Sequence, residues 1–280
     1  MAPLRRRVAL CVVHGIGAQR RHWADEFVAQ VRRAVVRRDA GIDVYPCVIW
    51  WAPITQRYED ELARRYARGL SWSWLRRLVI GYGGDVIAYQ APSARGVPPP
   101  WMYRAVHGRI ERRLRALRGL LGPVTAGPAE PAVPLVTVAH SLGSVIFSDF
   151  IYDAQAVGGG GRDADALAHR YGLALRGLFT IGSPLALYAI RYPHLGFDRP
   201  ITLPAGGTWI NVLYRADVIA YPLRVASDAY ARAVGEDWIL PWRLWDWSWT
   251  PIAHLAYWND GRLIARVADQ LAQAAAGSVA

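Results

Sequence analysis

The chain contains no lysine, only two cysteines in 280 residues, and no apolar run long enough to span a bilayer. Two cysteines cannot build a disulfide framework, and Cys11 and Cys47 each fall inside a predicted strand, where buried free thiols are the default. A reducing compartment follows as the expectation. The N-terminal arginines and the short apolar run behind them imitate a signal peptide. That run is too short and leads directly into a His-Gly loop, so it reads as structure and the expected location is the cytoplasm. No repeat of fixed period is present. No metal-ligand spacing appears either, and neither a metal nor another cofactor is expected. No linker divides the chain. The nearest candidate, Gly158 to Gly161, reads as a surface loop, so residues 1–280 are expected to form one domain.

What the chain does have is a hydrophobic content of 53%, enough to bury a full core, and alternating strand and helix patterns. Strands are predicted at about 7–13, 44–50, 134–139, 175–181 and 208–214, with a sixth near 246–250. Helices are predicted at 22–38, 103–121, 142–155 and 261–275; Val106, Ile110, Leu114, Leu117 and Leu121 mark the buried side of the second. Such alternation gives an α/β fold with a mainly parallel central sheet covered by helices on both faces. Residues 52–100 carry no core-strand signal. Tyr58, Leu62, Tyr66 and Leu70 recur there at helical spacing, so this is a helical insertion, either a lid or acyl-chain wall or simply extra core helices.

The most informative stretch is Pro134 to Val145. A β-branched run stops at Ala139-His140-Ser141-Leu142-Gly143 and a helical pattern begins at once. That is the setting in which a nucleophilic serine occupies a sharp strand-to-helix elbow, with small residues two before and two after it. The turn exposes the Ser141 hydroxyl and aims the Leu142 N–H at a substrate. Near the N-terminus, the strand ending at Val13 runs into His14-Gly15-Ile16-Gly17, where glycines let the backbone approach a ligand and leave N–H groups free. Trp23, Phe27, Val31 and Val35 then recur at helical spacing.

Together these two motifs resemble the α/β-hydrolase fold, and more narrowly its lipase-like serine hydrolases. The resemblance implies an oxyanion hole formed by the N–H groups of Ile16 and Leu142, and a chain order of serine, acid, histidine. The strand Thr208 to Tyr214 delivers Asp217 at its C-terminal end, where ligand-facing groups collect in parallel sheets. Asp217-Val218-Ile219-Ala220-Tyr221-Pro222-Leu223 is similar to the segment after the acid in such lipases. Asp198, Asp228, Asp237 and Asp246 follow no strand as clearly. Among the histidines, His14 belongs to the glycine loop and His140 is expected to point away from the reaction centre. His22 and His107 fall on the first turn and the polar side of helices, His169 follows a glycine-rich loop, and His194 precedes the acid. His254 is left, just before the C-terminal helix, and its Ala-His with an aromatic pair following is common in the resembling lipases. The chain departs from them at Ala139, where glycine is usual. It also begins at the strand feeding the oxyanion loop, as a minimal member would.

The expectation is therefore a serine esterase acting on apolar or lipid-like carboxylic esters through an acyl-enzyme on Ser141. A thioesterase, amidase or acyltransferase would use the same residues. A non-catalytic member of the fold that binds lipid or a protein partner is the alternative from another class. His14, Gly15, His140, Trp245 and Trp249 are candidate pocket residues; Trp238, Trp242 and Trp247 belong to the same aromatic cluster. Thirteen tryptophans suit an apolar pocket or a membrane interface. The net charge of +11 rests entirely on arginine. A solvated surface explains it most simply, peripheral contact with an anionic membrane comes next, and nucleic acid is not expected, since no binding module accompanies the charge.

Overall fold

The structure, a computed structural model, describes residues 5–16, 19–66, 89, 100–122, 132–156, 161–189, 199–241 and 251–277. Strands β1 (Arg6–Val13), β2 (Ile42–Ile49), β3 (Val133–His140), β4 (Leu173–Ile181), β5 (Thr208–Tyr214) and β6 (Glu236–Leu240) form one sheet in the order β2-β1-β3-β4-β5-β6. Every pairing is parallel. Among the described residues the helices are α1 (Asp25–Arg38), α2 (Pro53–Tyr66), α3 (Trp101–Leu120), α4 (Leu142–Gln155), α5 (Ala166–Tyr171), α6 (Leu185–Ala189), α7 (Asp228–Ala233) and α8 (Gly261–Ala276).

Alternation along the strands creates two cores. Val8, Leu10 and Val12 of β1 join Val136 and Val138 of β3 under α1 and α8, whose Phe27, Val31, Val35, Leu263, Val267 and Leu271 cover that face. Ala9, Cys11 and Val13 turn the other way, with Leu135 and Ala139, onto α3, α4 and α5. All eight residues of β3 are buried, as expected of a central strand covered on both sides. Each fully buried Val, Leu or Phe contributes roughly 1.5–3 kcal/mol relative to exposure. Acidic residues open α1 (Asp25, Glu26) and basic ones close it (Arg37, Arg38), matching the helix dipole.

The chain order creates a switch point. From β1 it steps to β2 on one side, then returns with β3 on the other. Connections from β1 and β3 therefore leave the same edge in opposite directions and open a crevice at their C-terminal ends, where ligands bind in open α/β sheets.

The sixth strand of the sheet is Glu236–Leu240; the strand expected near 246–250 falls outside the described residues. β6 opens with two carboxylates, sits half-exposed at the sheet edge and carries only the short apolar run Trp238-Ile239-Leu240. His107 is a departure. Instead of facing solvent it is largely enclosed, with its ring 3.9 Å from that of Tyr103 and its Nε2 3.0 Å from the Tyr89 hydroxyl. Of the insertion, α2 and the buried Tyr89 are described; residues 67–88 and 90–99 lie outside. Cys11 and Cys47 are buried free thiols and register partners on β1 and β2.

Candidate active site

Ser141 occupies the junction of β3 and α4 with φ 52° and ψ −131°, the one non-glycine residue with positive φ among those described. Such a backbone costs of order 1–3 kcal/mol and persists only where its surroundings over-determine it. Here they do. The Ser141 N–H donates to the Ile181 carbonyl at 2.9 Å. The Ser144 hydroxyl donates to the Ser141 carbonyl at 2.6 Å and accepts from the Ser183 hydroxyl at 2.7 Å. The flanking small residues have steric causes. A Cβ on Gly143 would lie 2.2 Å from the His14 carbonyl oxygen, and one on Gly15 would lie 2.6 Å from Ser141 Cβ. The loop leaving β1 is thus packed directly onto the elbow, and only hydrogen side chains leave room for it.

His254 arrives from a 3₁₀ turn, Pro251–Leu255, ahead of α8. The Ser141 hydroxyl donates to its Nε2 at 2.8 Å. Its Nδ1–H donates to Asp217, at 3.0 Å from Oδ2 and 3.2 Å from Oδ1. This tautomer follows from the network, since a carboxylate can only accept there. All three side chains are buried. Burial pushes the Asp217 carboxyl up, but hydrogen bonds from His254, Tyr257 and the Ile219 N–H outweigh it and hold it below the usual carboxylate value. It is ionised at neutral pH.

Asp217 sits three residues beyond β5, and a polar chain running across three strands holds its loop. The Trp209 indole donates to Thr180, and Thr180 donates to the Asn211 amide oxygen. The Asn211 amide nitrogen then donates to Asp237 and to the Tyr221 carbonyl. Asp237, rejected as the acid from sequence, accepts the backbone N–H groups of Leu223 and Arg224 and so fixes the far end of the acid loop.

The two neighbouring histidines are buried beside the site. His14 is buried. Its Nδ1–H donates to the Gly15 carbonyl at 2.7 Å, and its Nε2 accepts the N–H groups of Trp51 and Ala52 at 3.1 and 3.2 Å. The ring stacks on Trp51 at 4.8 Å, and the Trp51 indole donates back to the His14 carbonyl. Burial pushes its pKa down to about 3, so it is neutral. His140 does not point away from the reaction centre. It shares a sheet face with Val136 and Val138, and the segment carrying His254 folds over that face. Its Nε2–H donates to the His254 carbonyl at 2.8 Å. Burial and the neighbouring His254 lower its pKa to about 3.

Two residues to which the sequence assigned no role complete the centre. Tyr257 lies three residues after His254, is fully buried, and donates its hydroxyl proton to Asp217 Oδ2 at 2.7 Å. Gly182, at φ +56°, immediately follows β4. A Cβ there would stand 2.9 Å from the Tyr257 ring and 3.1 Å from both Asp217 Oδ2 and His254 Nδ1. The Gly182-Ser183-Pro184 ending was the available signal for this contact.

Leu142 is the first residue of α4, so its N–H has no acceptor within the helix. Ile16 follows Gly15 in the loop seated on the elbow and is partly buried against the α4 core. Trp242, Trp245, Trp247 and Trp249 lie outside the described residues, whereas Trp238 is in β6 beside Arg266. Among the described residues, no group of three or more His, Cys, Asp or Glu is placed to hold a metal ion, and no helix is long and apolar enough to cross a membrane.

No family model matches the chain, and no curated protein matches it either. A solved structure described as an uncharacterized protein from Pseudomonas aeruginosa is similar over 99% of this chain and 46% of that one, at 14% identity and a TM-score of 0.35. This chain therefore spans less than half the length of that neighbour, and the likeness assigns neither family nor activity.

Proposed function

We propose that the chain is a lipase-like serine hydrolase of the α/β-hydrolase superfamily, cleaving carboxylic esters of apolar or lipid-like substrates. The observation that carries the proposal is the continuous hydrogen-bonded line from Ser141 Oγ through His254 to Asp217, whose members are 113 and 37 residues apart in sequence. A serine hydroxyl is a weak nucleophile at neutral pH and needs a base in reach. In this reading His254 Nε2 takes the Ser141 proton as Oγ bonds to the ester carbonyl carbon. Asp217 fixes the tautomer and stabilises the imidazolium that forms. Negative charge moves onto the carbonyl oxygen, held by the N–H groups of Leu142 and Ile16. The intermediate collapses, the C–O bond to the alcohol breaks, and His254 returns the proton to the departing alkoxide. Water, deprotonated by the same histidine, then releases the acid and restores Ser141. The preformed elbow strain and the locked β1 loop support this assignment, because an oxyanion hole works only when its donors are fixed before the charge appears.

A fluorophosphonate probe with a panel of p-nitrophenyl esters of graded acyl length tests the proposal. Wild-type protein should be labelled and should turn over esters, and Ser141→Ala should lose both. Absence of labelling in folded wild-type protein would overturn it.

A further inference from the structure

We infer that Tyr257 is a positioning residue of this centre, its hydroxyl holding the Asp217 carboxylate in the orientation and charge balance that His254 requires. The inference rests on the reading of Ser141, His254 and Asp217 as a catalytic triad.

The geometry is specific. Asp217 Oδ1 accepts the Ile219 N–H at 3.0 Å, and Oδ2 accepts the Tyr257 hydroxyl at 2.7 Å. Both oxygens face the His254 Nδ1–H between those two fixed points. The Tyr257 hydroxyl is itself oriented, because its oxygen accepts the Tyr214 N–H at 3.0 Å. With that lone pair engaged, the phenol proton has one direction to go. The ring is closely packed: even a Cβ on Gly182 would stand 2.9 Å from it, and the His140 and Tyr214 rings lie 5.8 and 4.8 Å away. Base and clamp also share one short segment: His254 and Tyr257 lie on consecutive 3₁₀ turns, so whatever places one places the other.

The chemical consequence has a definite sign. A hydrogen bond to the ionised carboxylate lowers its basicity. A less basic Asp217 stabilises the His254 imidazolium less, so removing the Tyr257 hydroxyl should strengthen that stabilisation. Among the described residues, the other charged or titratable groups near this pair are His140, with His14 beyond it, and Tyr214, which donates to Asp260; Asp260 is paired with Arg262. His140 and His14 are neutral, and the Asp260–Arg262 pair is internally compensated, so the hydroxyl at 257 is the group whose removal alters the carboxylate most directly.

The test compares wild type, Tyr257→Phe and protein carrying 3-fluorotyrosine at position 257. NMR titration of the His254 imidazole is read beside the pH profile of ester turnover. Phenylalanine should raise the His254 titration point and the acidic limb of the rate profile by about half a unit to one unit, and lower kcat on the order of tenfold at nearly unchanged KM. The fluorinated phenol, a stronger donor of unchanged shape, should move both the opposite way. A purely structural role would lower Tm and leave both titrations in place, which overturns the inference. If Tyr257→Phe does not fold, the fluorinated protein decides alone. Shifted imidazole titrations in a protein that neither hydrolyses esters nor reacts with the probe would sink the hydrolase reading while leaving the role of Tyr257 intact.

Discussion

Two glycines with positive φ allow the packing at the centre to be separated from backbone strain. Gly182 (φ +56°) and Gly206 (φ +75°) both occupy conformations that L side chains rarely adopt. Placing alanine there costs roughly 1–2 kcal/mol of strain at either position. Their surroundings differ. At Gly206, in the turn entering β5 at the opposite edge of the sheet, the nearest atom to a new Cβ is Arg176 Nη1 at 3.6 Å, an ordinary contact. At Gly182 the new Cβ meets the Tyr257 ring at 2.9 Å and the hydrogen-bonded atoms of Asp217 and His254 at 3.1 Å. Overpacking of that kind adds about 1–3 kcal/mol. A 280-residue chain loses about 2 °C in Tm per kcal/mol. Gly206→Ala is therefore expected to lower Tm by about 2–4 °C, and Gly182→Ala by about 4–10 °C. Activity should part more sharply, because displacing a reacting group by a fraction of an ångström to an ångström costs on the order of a hundredfold. Gly182→Ala should lose that much kcat at unchanged fold, and Gly206→Ala none. Scanning calorimetry with ester kinetics on the same preparations checks both. If Gly182→Ala retains turnover within about threefold of Gly206→Ala, the close packing has no bearing on the chemistry and the argument fails.

Acid stability follows from the two buried histidines. Their folded pKa values, about 3, lie below the ordinary 6.5, so the unfolded chain binds more protons between those values. Their contribution is complete above pH 6.5 and declines as pH falls toward 3. Urea midpoints measured across that window should fall with acid in the wild type and fall less steeply in a His14→Gln variant. Asp217→Asn should leave the fold standing but lower kcat by about ten-thousandfold, since an amide can orient His254 in the wrong tautomer; a loss near tenfold would remove Asp217 from its proposed role.

How much was legible in the sequence follows from what each signal depends on. β1, β3, β4 and β5 are buried runs of Val, Leu and Ile, so hydrophobicity alone marked them within two residues. Edge strand β6 opens on Glu236 and Asp237 and has only three apolar residues after them, too short a run to stand out. Ser141 and Gly143 were readable because a sharp elbow accepts so few residues, and Asp217 because it follows a clear strand. His254 needed the chain order of a resembling family.

Composition and local pattern thus determined the alternating elements, the two-sided core and the serine elbow, because these depend on neighbours along the chain. Only the folded molecule decided that Tyr257 clamps the acid, that Gly182 makes room for it, and that His14 and His140 are buried beside the site. Those roles depend on contacts between segments tens of residues or more apart in sequence, and no local periodicity encodes a distance between them.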